Sequence, residues 1–292
     1  MITITGNKTA EQIVRAHLQK QREDEERKKR NPTGGSGSGT GAGAGNPPPT
    51  PARVINAGDY LKLENLLCED ADGNEFERYG ELYVRKDIFR DDKRQPLNFT
   101  PYNAAVYCEQ NGLFLPSFAL SCNILRALFQ QRSNPEIKAV LDQYKSIGNI
   151  IGYYAQNSIV DFAQQQVIHY PTAADCRERN IINTARQRRT GNFDKSALQD
   201  ELLDVALGNP AVTRYVQQFT GLRNPRILVE IGDYFGRPAK VWFPWNGKGG
   251  ANYTENRAVW LGCYGDYFYL GASNGLGEAG AVRGVRSSAP PT

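Results

Sequence analysis

The sequence predicts an α+β domain that begins near residue 52 and follows a disordered N-terminal tail. Strand-like pieces and a hairpin signal come first, between residues 53 and 85. Capped helical patterns then occupy residues 100–144, and short strand-like pieces with Gly-rich turns come last, in residues 226–286. Strands and helices in separate runs are typical of α+β domains, whereas α/β folds alternate the two. The chain has 292 residues, so residues 52–292 are long enough for one domain with a sizeable core.

Residues 1–51 are predicted to be a flexible tail made of a charged helix and a linker. Thr9-x-x-Gln12 is a capping box, which satisfies the first amides of a helix, so residues 9–30 are predicted as an exposed helix. Residues 31–51 are rich in Gly and Ser and end in a proline run, a composition that cannot bury enough surface to order itself. The helix could dock to a larger assembly or be a solvated tail, and the sequence leaves both open.

The first strands and the helices are predicted from turn and capping signals. Asp59–Leu63 and Tyr83–Arg85 are predicted strands, and Asp72-Gly73 is a hairpin turn signal between two apolar runs. Three helices are predicted because a capping side chain precedes each one, and two of them begin with proline. Their start signals are Thr100-Pro101, Ser117 and Asn134-Pro135.

The later elements are less regular in the sequence. Residues 196–219 carry a helical apolar pattern, and residues 147–170 are apolar and Gly-punctuated without a clear period. Five strand-like pieces follow, separated by turn residues. They are Arg226–Gly232, Ala239–Trp245, Arg257–Leu261, Tyr267–Leu270 and Ala281–Arg286.

Charge and composition argue against several classes of function. Residues 1–50 carry eight basic and five acidic side chains, so the remaining 27 basic and 26 acidic side chains nearly cancel. A nucleic-acid partner is therefore not expected for the folded part. The chain has only two histidines, and no two of its five cysteines have C-x-x-C spacing, so no catalytic residue, metal or cofactor is predicted.

Four short motifs resemble functional signatures but lack the required context. Gly271-x-Ser273-x-Gly275 matches a nucleophile elbow, but no histidine follows it. Residues 275–280 match G-x-G-x-x-G, but the chain ends before the helix and acid of a dinucleotide site. Residues 70–81 form only a partial calcium loop, since Glu75 stands where glycine is needed. The basic run of residues 186–189 is either a solvated face or an anion contact.

A family resemblance enters at the first predicted helix. Residues 100–117, TPYNAAVYCEQNGLFLPS, resemble the formylglycine-generating-enzyme-like branch of the C-type lectin fold, in Tyr107-Cys108, Gly112 and Leu115-Pro116-Ser117. Residues 257–261 and 280–286 look like the closing strands of that fold. The resemblance implies a C-type lectin fold with helical insertions. It does not carry the oxidase activity with it, because Cys263 stands alone where that activity needs a pair of C-terminal cysteines.

The stretch from Cys263 to Gly275 mixes Tyr, Asp, Ser, Asn, Gly and Cys between regularly spaced apolar residues. These residue types are reachable from an asparagine codon whose adenines are randomised. The stretch therefore resembles the variable region, here about residues 247–286, of the variable proteins of diversity-generating retroelements, particularly the archaeal viral type. Antibody recognition loops use a similar mixture, with Tyr for contact area and Ser, Gly and Asn for adaptable hydrogen bonds.

The resemblance implies a ligand-binding surface held by a fixed scaffold. Its predicted scaffold residues are Trp260, Leu261, Phe268, Leu270 and Ala272. The predicted contact or variable positions are Tyr253, Cys263, Tyr264, Asp266, Tyr267, Tyr269, Gly271, Ser273, Asn274 and Gly275.

The leading expectation is a non-enzymatic receptor or adhesin-type protein that binds an unidentified protein or cell-surface ligand. Two alternatives stay open: an enzyme of the formylglycine-generating type, or a structural virion or appendage protein with a fixed binding surface. The enzyme would need a deep cleft in which Cys263 lies beside another thiol or a metal. No apolar run suggests a signal peptide or a membrane span, so a virion-associated or an intracellular location is expected.

Overall fold

The computed structural model describes the chain from residue 53 to residue 287 with six internal gaps. The described residues are 53–69, 72–147, 153–171, 187–194, 201–242, 256–274 and 279–287. The chain divides into two units, residues 1–50 and residues 51–292, and every described residue belongs to the second. The predicted tail helix and linker lie outside the described residues. The second unit contains helices and two β-sheets in separate runs, which confirms the α+β prediction.

The first sheet has four strands in the order β1-β2-β3-β13. They are β1 (Arg53–Ala57), β2 (Tyr60–Glu69), β3 (Glu75–Arg85) and β13 (Val285–Ser287). The predicted hairpin joins β2 and β3, and Gly73 in its turn has φ +81°, a conformation that glycine adopts without strain. The predicted strand at residues 83–85 is the end of the longer β3. The last described strand, β13, pairs with β3 in antiparallel orientation and so completes the first sheet.

Three helices follow, each where its cap predicts it. They are α1 (Pro101–Gln110), α2 (Phe118–Gln130) and α3 (Pro135–Ser146). The side chains of Thr100, Ser117 and Asn134 each accept a hydrogen bond from a first-turn amide. These bonds satisfy donors that have no partner inside the helix, which explains why the capping residues fix the three starts.

The second sheet has nine strands. They are β4 (Asn98–Phe99), β5 (Tyr154–Asp161), β6 (Gln166–His169), β7 (Arg188–Arg189), β8 (Glu201–Leu202), β9 (Ala239–Trp242), β10 (Asn256–Tyr264), β11 (Tyr267–Asn274) and β12 (Gly280–Ala281). Seven of them run in the order β4-β12-β5-β10-β11-β9-β8, while β6 pairs with β5 and β7 with β6. Strands β10 and β11 form an antiparallel hairpin inside the sheet, with β5 on one side and the parallel strand β9 on the other.

The strand predicted at residues 226–232 is wrong. Helix α6 (Ile227–Phe235) occupies this stretch, and it follows two other helices, α4 (Leu203–Ala206) and α5 (Pro210–Thr220). The residues of α6 that face the core are Leu228, Ile231, Gly232 and Phe235, which share one helical stripe. A Cβ added to Gly232 would lie 2.7 Å from the backbone nitrogen of Ala239, so glycine allows β9 to pass close to this helix.

The predicted strand at residues 281–286 is interrupted. Between β12 and β13, Arg283 is only 3% exposed, and its guanidinium donates to the backbone oxygens of Arg85 and Lys86 at 2.7 and 2.5 Å and to Oε1 of Gln143 at 2.8 Å. The same guanidinium lies 4.9 Å from the ring centroid of Tyr144. The segment leaves the ladder because it turns Arg283 inward, where a buried charge needs such partners.

Helix α2 lies between the two sheets and contributes side chains to the core along nearly its whole length. It packs against β2 of the first sheet and against β5 and β10 of the second. Eleven of its thirteen residues are buried, which is the pattern of a helix enclosed on nearly all sides. In the described part of the chain, no helix is both long enough and apolar enough to cross a membrane.

Candidate functional site

The candidate surface is built on the hairpin of β10 and β11. Tyr264 and Tyr267 pair directly, so only Gly265 and Asp266 form the loop. Gly265 has φ +55°, and a positive φ at the first central residue is what a tight hairpin turn of this length needs. The two-residue turn fixes the register, and the register decides which side chains face outward.

Around the turn, from Cys263 to Leu270, the hairpin's side chains alternate between the core and the outside. Cys263, Phe268 and Leu270 face the core and are 0%, 1% and 0% exposed. Tyr264 faces outward and is 59% exposed, and the side chain of Tyr267 opposite it is half-buried. Because neighbouring strand residues point to opposite faces, the apolar positions fasten the hairpin while the tyrosines remain outside.

The inner face of the hairpin is anchored to α6 and β9. The ring of Phe268 meets the ring of Phe235 edge to face, with centroids 5.5 Å apart. The amide of Phe268 also donates to the carbonyl oxygen of Pro238 at 3.0 Å. Both hairpin strands are interior strands of the sheet, because β5 pairs with β10 up to Leu261 and β9 pairs with β11 from Phe268 onward.

The outer face presents aromatic rings, hydroxyls and one ammonium group. The rings of Tyr267 and Tyr269 are 5.7 Å apart at an interplanar angle of 64°, an edge-to-face arrangement. Nζ of Lys240, from the neighbouring strand β9, lies 4.9 Å from the centroid of Tyr267, within cation–π range. Asp266 is exposed in the turn. The surface therefore combines large amphipathic contact area with charges of both signs.

The five residues predicted as scaffold are all buried, as a scaffold role requires. Their exposures are 3% for Trp260, 0% for Leu261, 1% for Phe268, 0% for Leu270 and 0% for Ala272.

Cys263 does not lie on the contact surface, so its predicted contact role is wrong. Its side chain is fully buried, on the same face as Phe268 opposite it. Burial raises the pKa of the Cys263 thiol to about 12, so the group stays protonated near neutral pH. A protonated, enclosed thiol is a poor nucleophile and a poor metal ligand, which is unfavourable for the enzyme alternative.

The cysteines of the described residues are unpaired, and no metal site is evident among them. Cys68, Cys108, Cys122 and Cys263 are free thiols, and Cys176 lies outside the described residues. In the described ranges, no three His, Cys, Asp or Glu side chains are grouped so that they could hold a metal ion.

Gly271 is also buried, so its predicted role as a contact position is wrong as well. It lies opposite Trp260 on β10 and beside Trp242 on β9. Trp260 is only 3% exposed, and its ring centroid lies 5.0 Å from that of Tyr153. Paired residues share a face, so Gly271 lies beside the buried Trp260 and is not an exposed contact position.

Four predicted contact positions have no described side chain. Tyr253 and Gly275 lie outside the described residues. Ser273 and Asn274 belong to the end of β11, where the backbone alone is described. The structure therefore brings together Tyr264, Asp266, Tyr267 and Tyr269 from the predicted set.

The structure adds Lys240 to this surface, a residue that the sequence prediction missed. Lys240 is paired with Tyr269 in the parallel ladder, 29 positions away in the sequence. Alternation within β9 marks Lys240 as an outward residue between Ala239 and Val241, but only the strand order places it beside the tyrosines.

Comparison with protein-family models, curated proteins and solved structures finds no match for this chain.

Proposed function

We propose that the protein is a non-enzymatic binding protein that presents the outer face of the β10–β11 hairpin as a diversified ligand-binding surface on a C-type-lectin-type scaffold. One observation carries this proposal: the exposed and half-buried tyrosines at 264, 267 and 269 alternate with the buried residues at 263, 268 and 270. A surface of this kind can change its outward residues without changing its core.

The scaffold part of the proposal is supported by how the chain closes. The last described strand, β13, pairs with β3, in agreement with the resemblance of residues 280–286 to closing strands. Helix α1 ends before Gly112, which has φ +68°, and Ser117 caps the next helix after a short extended crossing. This is the arrangement that the resemblance of residues 100–117 implies.

The chemistry of the outer face favours a protein or cell-surface ligand. Tyrosine offers rigid amphipathic area with only two side-chain torsions to immobilise, so it binds varied surfaces at a low entropic cost. Among the described outer-face residues, Lys240 and Asp266 oppose each other in charge. This balance does not favour a phosphate backbone, which needs a concentrated positive surface.

The first experiment is to sequence the gene segment that encodes residues 256–274 across a natural population. We expect substitutions to concentrate at positions 264, 266, 267 and 269 and to follow adenines in their codons. Positions 268 and 270 in the same hairpin are the internal control, and they should stay apolar because they are buried. Even scatter over both sets, or no variation, would contradict diversification and leave a fixed binding surface.

A display experiment tests the binding function directly. In one library, positions 264, 266, 267 and 269 are randomised; in a matched library, four outward positions of the β2–β3 hairpin, 60, 62, 81 and 83, are randomised instead. We expect folded binders against a panel of unrelated proteins from the first library and far fewer from the second. Equal yields would show that the β10–β11 surface has no special capacity for recognition.

A further inference from the structure

A concave site lies away from the hairpin, where β6, β7 and α5 meet the turn between β2 and β3. It encloses about 140 Å³. The residues that line it are Asp72, His169, Arg188, Arg189, Thr190 and Gly191, together with Arg214 and Gln218 of α5. The basic run at residues 186–189 contributes two of these arginines, and the third comes from a distant part of the sequence.

Among the described residues that line this pocket, basic side chains outnumber acidic ones. Three arginine side chains face one carboxylate in its lining, because burial lowers the pKa of His169 to about 4 and keeps its imidazole neutral near pH 7. Arg214 binds Asp72 with both nitrogens, Nη1 to Oδ1 at 2.9 Å and Nη2 to Oδ2 at 3.0 Å. This fork geometry is the one with which arginine also binds phosphate and sulfate, and the pair is more than half exposed.

A second and independent feature of the pocket is an unsatisfied buried amide. Gln218 is only 4% exposed, and its Oε1 is buried with no hydrogen-bond partner among the described residues. Buried polar atoms are nearly always paired, so an isolated one in a pocket wall indicates a place for a polar ligand. Half a turn of the amide group exchanges its oxygen and its NH₂, so Gln218 can meet either a hydroxyl or an anionic oxygen.

The size of the pocket restricts the ligand. Pockets for drug-sized molecules enclose roughly 300–1,000 Å³, and 140 Å³ is well below that range. A tetrahedral oxyanion fits the volume, the arginine forks and the polar wall. We infer that this pocket binds a phosphate- or sulfate-type oxyanion, held by Arg188, Arg189 and Arg214 with Gln218 completing the contact.

Asp72 sets the affinity of the pocket. Its carboxylate already occupies the guanidinium of Arg214, so an incoming oxyanion competes with it for the same donors. Removing the negative charge of Asp72 therefore strengthens anion binding, whereas removing an arginine weakens it. If the ion pair were only structural, removing Asp72 and removing an arginine would not change anion affinity in opposite directions.

This site does not depend on the proposed hairpin surface. The pocket borders β6, which pairs with β5 through Ser158 and His169, whereas the hairpin turn lies beyond the other end of β5, where Tyr154 pairs with Leu261. Substitutions at one site should leave the ligand of the other unaffected.

The test is isothermal titration of the full chain with inorganic phosphate and, separately, with inorganic sulfate at low ionic strength. We expect Arg189→Ala and Arg214→Ala each to weaken binding about tenfold or more, since each removes charge-assisted hydrogen bonds. Asp72→Asn should tighten binding severalfold. Arg226→Ala, an exposed arginine outside the pocket, is the matched control and should leave the affinity unchanged.

A third titration, with a sugar phosphate, distinguishes a free oxyanion from a phosphorylated small molecule. Tighter binding of the sugar phosphate that is lost in Gln218→Ala assigns a phosphorylated small molecule; equal binding of all three anions assigns the free oxyanion. Each variant is checked for a wild-type thermal transition. The inference is overturned if the wild type binds none of these anions, or if Arg189→Ala and Arg226→Ala weaken binding equally.

Discussion

The β2–β3 hairpin and the β10–β11 hairpin bury similar inner faces but use their outer faces differently. On the β2–β3 hairpin the outward side chains bind one another. Nζ of Lys62 lies 3.0 Å from Glu64 and 2.5 Å from Glu81, and the Tyr83 hydroxyl lies 3.3 Å from Glu81. The guanidinium of Arg286, from β13, covers the rings of Tyr60 and Tyr83 at 4.5 and 5.2 Å. The polar and aromatic side chains of this outer face therefore interact mainly with one another.

The β10–β11 hairpin presents its outward side chains to the surroundings. Tyr264 is one of only two large hydrophobic residues in the described part of the chain that are more than half exposed. Tyr267 and Tyr269 are half-buried, and their rings meet edge to face. Two hairpins with similar inner packing can therefore differ outside: in one the outward side chains bind one another (the closed face, β2–β3), and in the other they remain exposed (the open face, β10–β11). The open face is the one suited to recognition.

The largest expected effect tests the shared inner faces. Phe268→Ala should lower the free energy of unfolding by about 3–5 kcal/mol, and Leu63→Ala on β2 by about 2–5 kcal/mol, because both side chains are fully buried. Chemical denaturation of the two variants measures this. If Phe268→Ala costs less than about 1 kcal/mol, the β10–β11 hairpin is not anchored by its inner face, and the comparison fails.

The next largest expected effect is a loss of stability at acid pH that comes from a buried histidine in the second sheet. His169 on β6 is 1% exposed, and its Nδ1 lies 2.9 Å from the hydroxyl oxygen of Ser158. Burial lowers the pKa of His169 to about 4, below the ordinary 6.5 that it regains on unfolding. The unfolded chain therefore takes up the proton first, so the stability due to neutral His169 is complete above pH 6.5 and is lost as the pH falls toward 4.

Between pH 6.5 and 5 this linkage lowers the free energy of unfolding by up to about 2 kcal/mol. Denaturant unfolding of the wild type and of His169→Gln across this window measures it. His17→Gln is the matched control, since His17 is the chain's other histidine. We expect the slope to disappear in His169→Gln and to persist in His17→Gln. A slope that persists in both variants would show that other groups cause the acid sensitivity.

Signals that act within a few residues predicted much of this fold. Thr100, Ser117 and Asn134 fix helix starts because each bonds an amide two or three positions away. The hairpin at Gly73 and the alternation in β10–β11 are equally local. The stretch of α6 was misassigned because a short apolar run fits a strand as well as a helix, and only its partners in the core decide between them.

The candidate surface could be predicted in part for the same reason. Tyr264, Tyr267 and Tyr269 follow the alternation, and Cys263 could have been placed inside, since it shares the parity of Leu261. Composition alone put Cys263 among the contacts. The pocket could not be predicted from the sequence, because Arg214 and Asp72 are 142 positions apart and no local pattern indicates that they are in contact. The inward turn of Arg283 has the same long-range cause.

A smaller effect tests the closed face. Hydrogen bonds to Glu81 and Glu64 raise the pKa of Lys62, and Glu81→Gln removes the closer of these partners. We expect a small loss of stability that shrinks as salt is added, because exposed ion pairs are screened. Thermal unfolding at low and high salt checks this, with Asp92→Asn, an exposed carboxylate outside this face, as the control. A loss that does not depend on salt would show that Glu81 acts through packing.

The smallest expected effect is on the open face. Tyr264→Ser should change the free energy of unfolding by less than about 1 kcal/mol, because the side chain is 59% exposed and its packing does not fix the sheet. Tyr267→Ser should cost somewhat more, since it also removes the edge-to-face contact with Tyr269 and the contact with Lys240. Denaturation of both variants beside Phe268→Ala gives the ranking. A surface that varies freely requires this order, because every outward substitution must leave a folded protein. If Tyr264→Ser unfolds the chain as readily as Phe268→Ala, the tyrosine holds the fold, and the hairpin cannot be the diversified part of the molecule.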